Sequence, residues 1–342
     1  MKKKSILILT MMVMMFVIAS TVAYAATSDS QTSSTGYIDS KIQGQERQVM
    51  TQVMSTLAPE DRENAVYIAA DGTIYANKPE LKANMKSWSK VKDNIYMDQN
   101  NNTQAFPVDS TTVTNNTDDG SLLNSGVTPM ASTPKGLYRR VSSKTGYSWQ
   151  SSYVHFGTKT TDCYSVNNAT ETPYLYMGGT SSNGSEVDAG CQYSYTNNNW
   201  SIYLHTPTAT ATDPNRFKAG QNGFLKYYVS SANNVTLSVT AVGTDGVKKT
   251  ESYTLACNGW NTNGSGCSLK RCTTIAQVPY NTSSGSYHKN VHWYSSLIGT
   301  SSSSNHTWGS SDTSAYTNFP DTSHVVVNFV SPAEETDNIK AY

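Results

Sequence analysis

Charge is what this chain has least of. Only 15% of its 342 residues are charged, with 25 Lys and Arg against 25 Asp and Glu. A nucleic-acid surface needs a basic excess to release counterions from phosphate, so that partner is excluded. Neither GxxxxGK nor GxGxxG occurs, which removes the phosphate cradles of nucleotide sites, and no cofactor is expected. A GxSxG nucleophile elbow is also missing, and Ser, His and Asp are too numerous for a triad drawn among them to mean anything. Phe is scarce at 7, but 22 Tyr and 6 Trp argue for a packed interior rather than a disordered chain. Ser and Thr make up about a quarter of the residues, which points to Thr-rich strands and polar turns.

The order Met1-Lys2-Lys3-Lys4, an apolar run from Ile6 to Ala19, then Ala23-Tyr24-Ala25 is that of a signal peptide over 1–25 with cleavage after Ala25. The run approaches the length of a membrane span, but no basic stop-transfer segment follows it. The expected location is secreted, with cell-wall association as an alternative, and no membrane contact after cleavage. Loss of the three lysines takes the 25 basic residues to 22 against 25 acidic, a net of −3. Export implies an oxidising compartment, so Cys163, Cys191, Cys257, Cys267 and Cys272 are disulfide candidates with one left over. Cys257 with Cys267 or Cys272 is the favoured pairing. Zinc is disfavoured because the spacings among these three are not those of a CxxC knuckle.

Between Tyr37 and Leu57, Ile38, Ile42, Val49, Met50, Val53, Met54 and Leu57 recur at helical steps. Ala65 to Ala76 holds two β-prone runs around Asp71-Gly72, a hairpin signal. A second helix is expected from Pro79 toward Val91. These features make 26–97 a small α+β segment or propeptide, followed by a polar linker over 98–134. In that linker Asp98, Asn100, Asn102 and Asp109 fall at calcium-loop positions, but Thr103 stands where the turn needs Gly, and no metal is expected. From 135 to 342, short strands separated by polar turns predict a mainly β fold, an antiparallel β-sandwich or jelly roll of lectin-like type. Asn234 to Val242 alternates strictly, with Val235, Leu237, Val239 and Ala241 on one face.

Glu186 and Asp188 lie two apart on a predicted strand and project to one face. Retaining glycosidases on lectin-like sandwiches use an ExDxE strand, so a polysaccharide hydrolase or lyase centred on this pair is one reading, although Gly190 replaces the last carboxylate. His288 and His292 are too far apart on a strand to share a metal and read as surface or edge residues. Tyr193, Trp200, Tyr203 and Trp260, set among asparagines, form a candidate ligand-binding surface, since flat rings stack on sugars while amides bond hydroxyls. The expected function is therefore a secreted carbohydrate-binding protein whose partner is a polysaccharide or cell-wall glycan. The alternatives are the enzyme just named and a structural envelope or matrix protein without activity.

Four segments carry a resemblance. Ala65 to Asn77, Glu186-Val187-Asp188-Ala189-Gly190 followed by Asn199-Trp200-Ser201, Leu269-Lys270-Arg271 with Ile275-Ala276-Gln277, and His306-Thr307-Trp308-Gly309 are similar to YrpD-like uncharacterised secreted proteins of Gram-positive bacteria. The resemblance implies export and a lectin-like sandwich, and it implies no catalytic residues.

Overall fold

The computed structural model describes residues 34–92, 95–98, 100–105, 136–168, 170–277 and 279–342. The expected signal peptide and most of the expected linker, Asp109 included, lie outside the described residues. The chain is mainly β, built from two sheets packed face to face. Alternation explains the strands. Val235, Leu237, Val239 and Ala241 of Asn234–Val242 all point into the core, while Thr236, Ser238 and Thr240 occupy the other face and bond hydroxyls or carboxylates there. That strand pairs antiparallel with both Gln221–Ser231 and Lys248–Ala256.

The ten-stranded sheet runs in the order Thr313–Phe319, Leu137–Thr145, Ser268–Gln277, Glu171–Thr180, Glu186–Ser194, Asn199–His205, Ala209–Lys218, Lys86–Lys92, Ile95–Met97 and Thr103–Ala105. The eleven-stranded sheet carries Ala65–Ile68 and Ile74–Ala76 at one end and Glu334–Lys340 with Val325–Ser331 at the other. Residues 65–105 thus supply strands to both sheets. Ala65–Ile68 runs parallel to Lys248–Ala256, and Lys86–Lys92 runs antiparallel to Ala209–Lys218.

Between the sheets, Leu175, Met177, Val187, Ile202 and Leu204 meet Val154, Phe156, Leu225, Tyr227 and Leu237. An ionic clamp crosses the same interior. Arg139 and Arg271 of the ten-stranded sheet donate to Glu335 of the other sheet at 2.6 Å and 2.7 Å, and Thr273 donates to Asp337 at 2.6 Å. Burial, reinforced by Glu335, pushes Asp337 up to about 7.

The outer face of the eleven-stranded sheet is capped by the helix Gly44–Thr56, which lies within the expected span. Its Met50 and Met54 pack on Trp149 and Tyr228. The 3-10 turn Pro59–Asp61 then delivers Asp61 to the buried Lys226 at 2.8 Å, where it also accepts from Tyr228 Oη and Ser238 Oγ. The hairpin Ala65–Ile68 with Ile74–Ala76 forms as expected.

Two expectations need correction. The helix from Pro79 stops at Lys82, and Lys86–Lys92 is a strand. Its Ser87, Trp88 and Ser89 complete the hydrogen-bonding edge of Ala209–Lys218, a tertiary pairing that outweighs local helical spacing. The five cysteines form no disulfide and are all buried. They act as small apolar side chains, and burial pushes the Cys257 thiol up to about 11.

Candidate functional site on the outer face of the ten-stranded sheet

Strand periodicity sends every second side chain of this sheet away from the core. Register then aligns them in rows. Tyr138, Thr274, Tyr174, Gln192 and Ser201 form one row across five strands, and Arg140, Cys272, Tyr176, Gly190 and Tyr203 form the next. Lys270, Gly178, Asp188, His205 and Thr210 form a third. The rings connect. Phe319 stacks on Tyr138 with centroids 5.3 Å apart, Tyr174 meets Tyr203 edge-on at 4.9 Å, Tyr203 lies parallel to His205 at 6.5 Å, and His205 meets Tyr96 at 5.8 Å. The result is an aromatic track that crosses the sheet on a diagonal, from Tyr96 of Ile95–Met97 through His205 and Tyr203 to Tyr174, with Tyr138 in the same packed cluster on the far side of Thr274.

Beside the track sits an ion cluster made wholly by the sheet. Gly178 has no side chain, so Lys270 reaches over it to Asp188 at 2.5 Å and to Glu186. Arg140 lies 4.0 Å from Glu186, and Lys270 and Arg140 stand over the rings of Tyr176 and Tyr138 at 5.5 Å and 5.6 Å. Burial alone would lower the Lys270 ammonium, but Asp188 and Glu186 outweigh it and hold it above the ordinary lysine range. His205 is pushed the other way, down to about 4, by burial and by the Lys270 charge, so it is a neutral ring whose Nδ1 lies 2.7 Å from Thr210 Oγ1. At the foot of the track a recess of about 220 Å³ is lined by Gln192, Ser201 and Glu171. Glu171 is already engaged there by Gln277 Nε2 at 3.0 Å and by Ser286.

The residues proposed from sequence divide between the two faces. Glu186, Asp188 and Tyr203 belong to this outer face. Trp200 and Trp260 are 0% and 1% exposed, and Tyr193 joins them in the core between the sheets. Trp200 stacks on Phe156 at 5.4 Å and donates to the Gly157 carbonyl, so neither ring face is open to a ligand. Gly190 has its own reason to lack a carboxylate. A Cβ there would sit 2.1 Å from the Leu175 carbonyl oxygen and 2.7 Å from Tyr176 Cβ. His292 is half-buried at the surface, as expected of a surface or edge residue. His288, read as a surface residue, is instead fully buried against Trp200 at 5.7 Å, and burial lowers it to about 4.

Lys270, Arg140, Tyr138, Tyr174, Tyr176, Tyr96 and His205 were not proposed from the sequence as site residues. The signal available was the two-residue spacing of Tyr174 with Tyr176 and of Tyr138 with Arg140, which places each pair on one strand face.

No protein-family model and no curated protein matches the chain. Among solved structures it is similar to Scytalido-glutamic peptidase bound to a peptide-based transition state analog. That likeness has a TM-score of 0.41 at 9% identity and covers 61% of this chain and 100% of that one. It is also similar to SCP-B, a member of the Eqolisin family of peptidases in complex with the tripeptide Ala-Ile-His. There the TM-score is 0.38 at 6% identity, covering 60% and 100%. The expected carbohydrate-binding function is corrected here. Most of the aromatic surface it relied on is interior packing, and its Glu186 and Asp188 alternative is tied up by one lysine.

Proposed function

We propose that the outer face of the ten-stranded sheet is a seat for an extended polypeptide, in a protein that works outside the cytoplasm. The observation that carries this is the diagonal track, whose Tyr138, Tyr174, Tyr176 and Tyr203 pack into one aromatic cluster on the face of the sheet that points away from the core, beside Lys270 and its carboxylates. A cluster of tyrosine rings suits a chain offering amides and small apolar side chains in alternation. The lysine with its two carboxylates adds a polar border without an unpaired charge. A panel of unstructured peptides of about twelve residues, titrated to millimolar concentration and followed by fluorescence anisotropy, tests this; about that many extended residues cover the track. Saturable binding that weakens at least tenfold in Tyr174→Ala and Tyr203→Ala, and is unchanged in Tyr153→Ala on the opposite sheet, is expected. Absence of binding across the panel, or equal loss in Tyr153→Ala, overturns it.

A further inference from the structure

We propose that two copies of this chain join edge to edge through the strand Val325–Ser331. The two sheets end together on one side of the sandwich. Among the described residues, Val325–Ser331 closes the eleven-stranded sheet and pairs only with Glu334–Lys340, and Thr313–Phe319 closes the ten-stranded sheet and pairs only with Leu137–Thr145. At its other end the eleven-stranded sheet finishes in Ile74–Ala76, which is three residues long and whose Ala76 N–H donates to Glu46 of the covering helix at 3.2 Å. One edge is blunted and the other is bare.

Sequence makes the bare edge adhesive. Residues 322–333 hold no Asp, Glu, Lys or Arg, and the strand reads Val-Val-Val-Asn-Phe-Val-Ser, β-prone and without the charge or proline that protects an open edge. Backbone parity shows what it offers. The Lys340 N–H donates to the His324 carbonyl at 2.9 Å, so in the same register Val326 and Asn328 bond to the neighbouring strand, and the amides and carbonyls of Val327 and Phe329 point outward. The side chains are equally open, with Val326, Phe329 and Val330 48%, 47% and 65% exposed.

A second copy fits this edge because the strand complements itself. Turned about a two-fold axis at Asn328, it meets itself antiparallel, and Val327 of each copy exchanges its backbone bonds with Phe329 of the other. The same register sets Val326 opposite Val330 and Asn328 opposite itself, so apolar side chains meet apolar ones and no like charges face each other. The second layer shares the axis. Tyr316, the middle residue of Thr313–Phe319, meets Phe329 edge-on at 5.3 Å, so the midpoints of the two edges are stacked and one axis perpendicular to the sheets joins both. Seven residues make an edge about 24 Å long, and two layers about 10 Å apart with their flanking side chains make it about 20 Å wide. That is roughly 500 Å² on each copy and about 1,000 Å² in all, the lower limit of a specific interface, so a dimer with a Kd of order 10–100 µM is expected.

Sedimentation equilibrium from about 5 to about 500 µM tests this. The average mass is expected to rise from one copy toward two and no further. A mass of one copy throughout, or growth beyond two, overturns the proposal. Val326→Lys combined with Val330→Lys sets lysine against lysine on both sides of the axis and is expected to weaken association about tenfold or more. Val247→Lys, at a 61% exposed position in the turn between Asn234–Val242 and Lys248–Ala256, is expected to leave it unchanged. Equal effects of the two changes overturn the proposed contact. Register is read by oxidation, since the native cysteines are all buried. Asn328→Cys places two thiols at a self-opposed pair about 4.5 Å apart between Cα atoms and is expected to give a disulfide-linked dimer. Val326→Cys places them about 14 Å apart and is expected to give none. Crosslinking of both variants, or of neither, overturns the pairing.

Discussion

The two outer faces of the sandwich solve one electrostatic problem in different ways. Each buries a lysine over a tyrosine ring 5.5 Å away and holds it between two carboxylates, Lys226 with Glu60 and Asp61, and Lys270 with Glu186 and Asp188. On the eleven-stranded sheet both carboxylates arrive with the covering layer, in the turn after the helix Gly44–Thr56. On the ten-stranded sheet both come from the sheet itself, two residues apart on Glu186–Ser194. A buried charge without its partner is costly, so the first cover cannot leave without stranding Lys226. The second face is neutralised before anything covers it. One face takes its countercharges from the layer that covers it, and the other holds its own.

The largest effect that tests this contrast is expected from Asp61→Ala. It leaves the buried Lys226 without its closest interior partner and orphans the Tyr228 and Ser238 hydroxyls, for a loss of about 3–5 kcal/mol in urea unfolding. Asp188→Ala is expected to cost less than half as much, because the half-buried Glu186 still faces Lys270, whereas the Glu60 left to Lys226 is exposed. Equal costs, or the reverse order, break the distinction between a cover that carries the charges and a sheet that holds its own.

Acidification sharpens it from the other side. His205 lies at about 4 in the folded chain because burial and Lys270 both oppose its charging. The unfolded ring titrates near 6.5, so its neutral form contributes stability that is fully present above 6.5 and is lost as pH falls toward 4. The loss attributable to His205 is at most about 3 kcal/mol across that window. Asp337 and Glu251, both raised to about 7 mainly by burial, act in the opposite sense over an overlapping range, since folding favours their neutral forms. The measurement is therefore a difference, with unfolding free energy at pH 7.5 and pH 5 compared between the wild type and His205→Gln. A flatter dependence in the variant is expected. An unchanged slope means that the outer face is wet, and the burial argument for the track fails with it.

Much of the architecture was legible because alternation is a local property. Asn234–Val242 announces its core face in nine residues, and the Asp71-Gly72 turn announces its hairpin. The site was not legible, because its rows run across strands. Lys270 and Asp188 are neighbours only through Gly178 on the strand between them, and Tyr174 meets Tyr203 only by register. The same blindness misplaced Trp200 and Trp260, whose Asn-rich flanks resemble a surface while the rings point inward. Lys86–Lys92 shows the converse error, a helical spacing overridden by an edge that needed a strand.

The smallest expected effect concerns the exposed aromatics. Phe224, Tyr153 and Tyr294 also form a ring row across three strands, at 4.9 Å and 5.2 Å, on the outer face of the eleven-stranded sheet away from the helix. Tyr153 is 41% exposed where Tyr203 is 7%. Stacking alone contributes about 0.5–1.5 kcal/mol per pair, whereas a buried ring also removes its surface from water and leaves a cavity when truncated. Tyr153→Ala is accordingly expected to cost about 1 kcal/mol, and Tyr203→Ala about 3 kcal/mol, in paired urea titrations. Two similar rows would then differ because one is exposed and the other is buried. Should Tyr203→Ala prove as mild as Tyr153→Ala, the ten-stranded face carries no buried track, and the case for any polypeptide seated on it is lost.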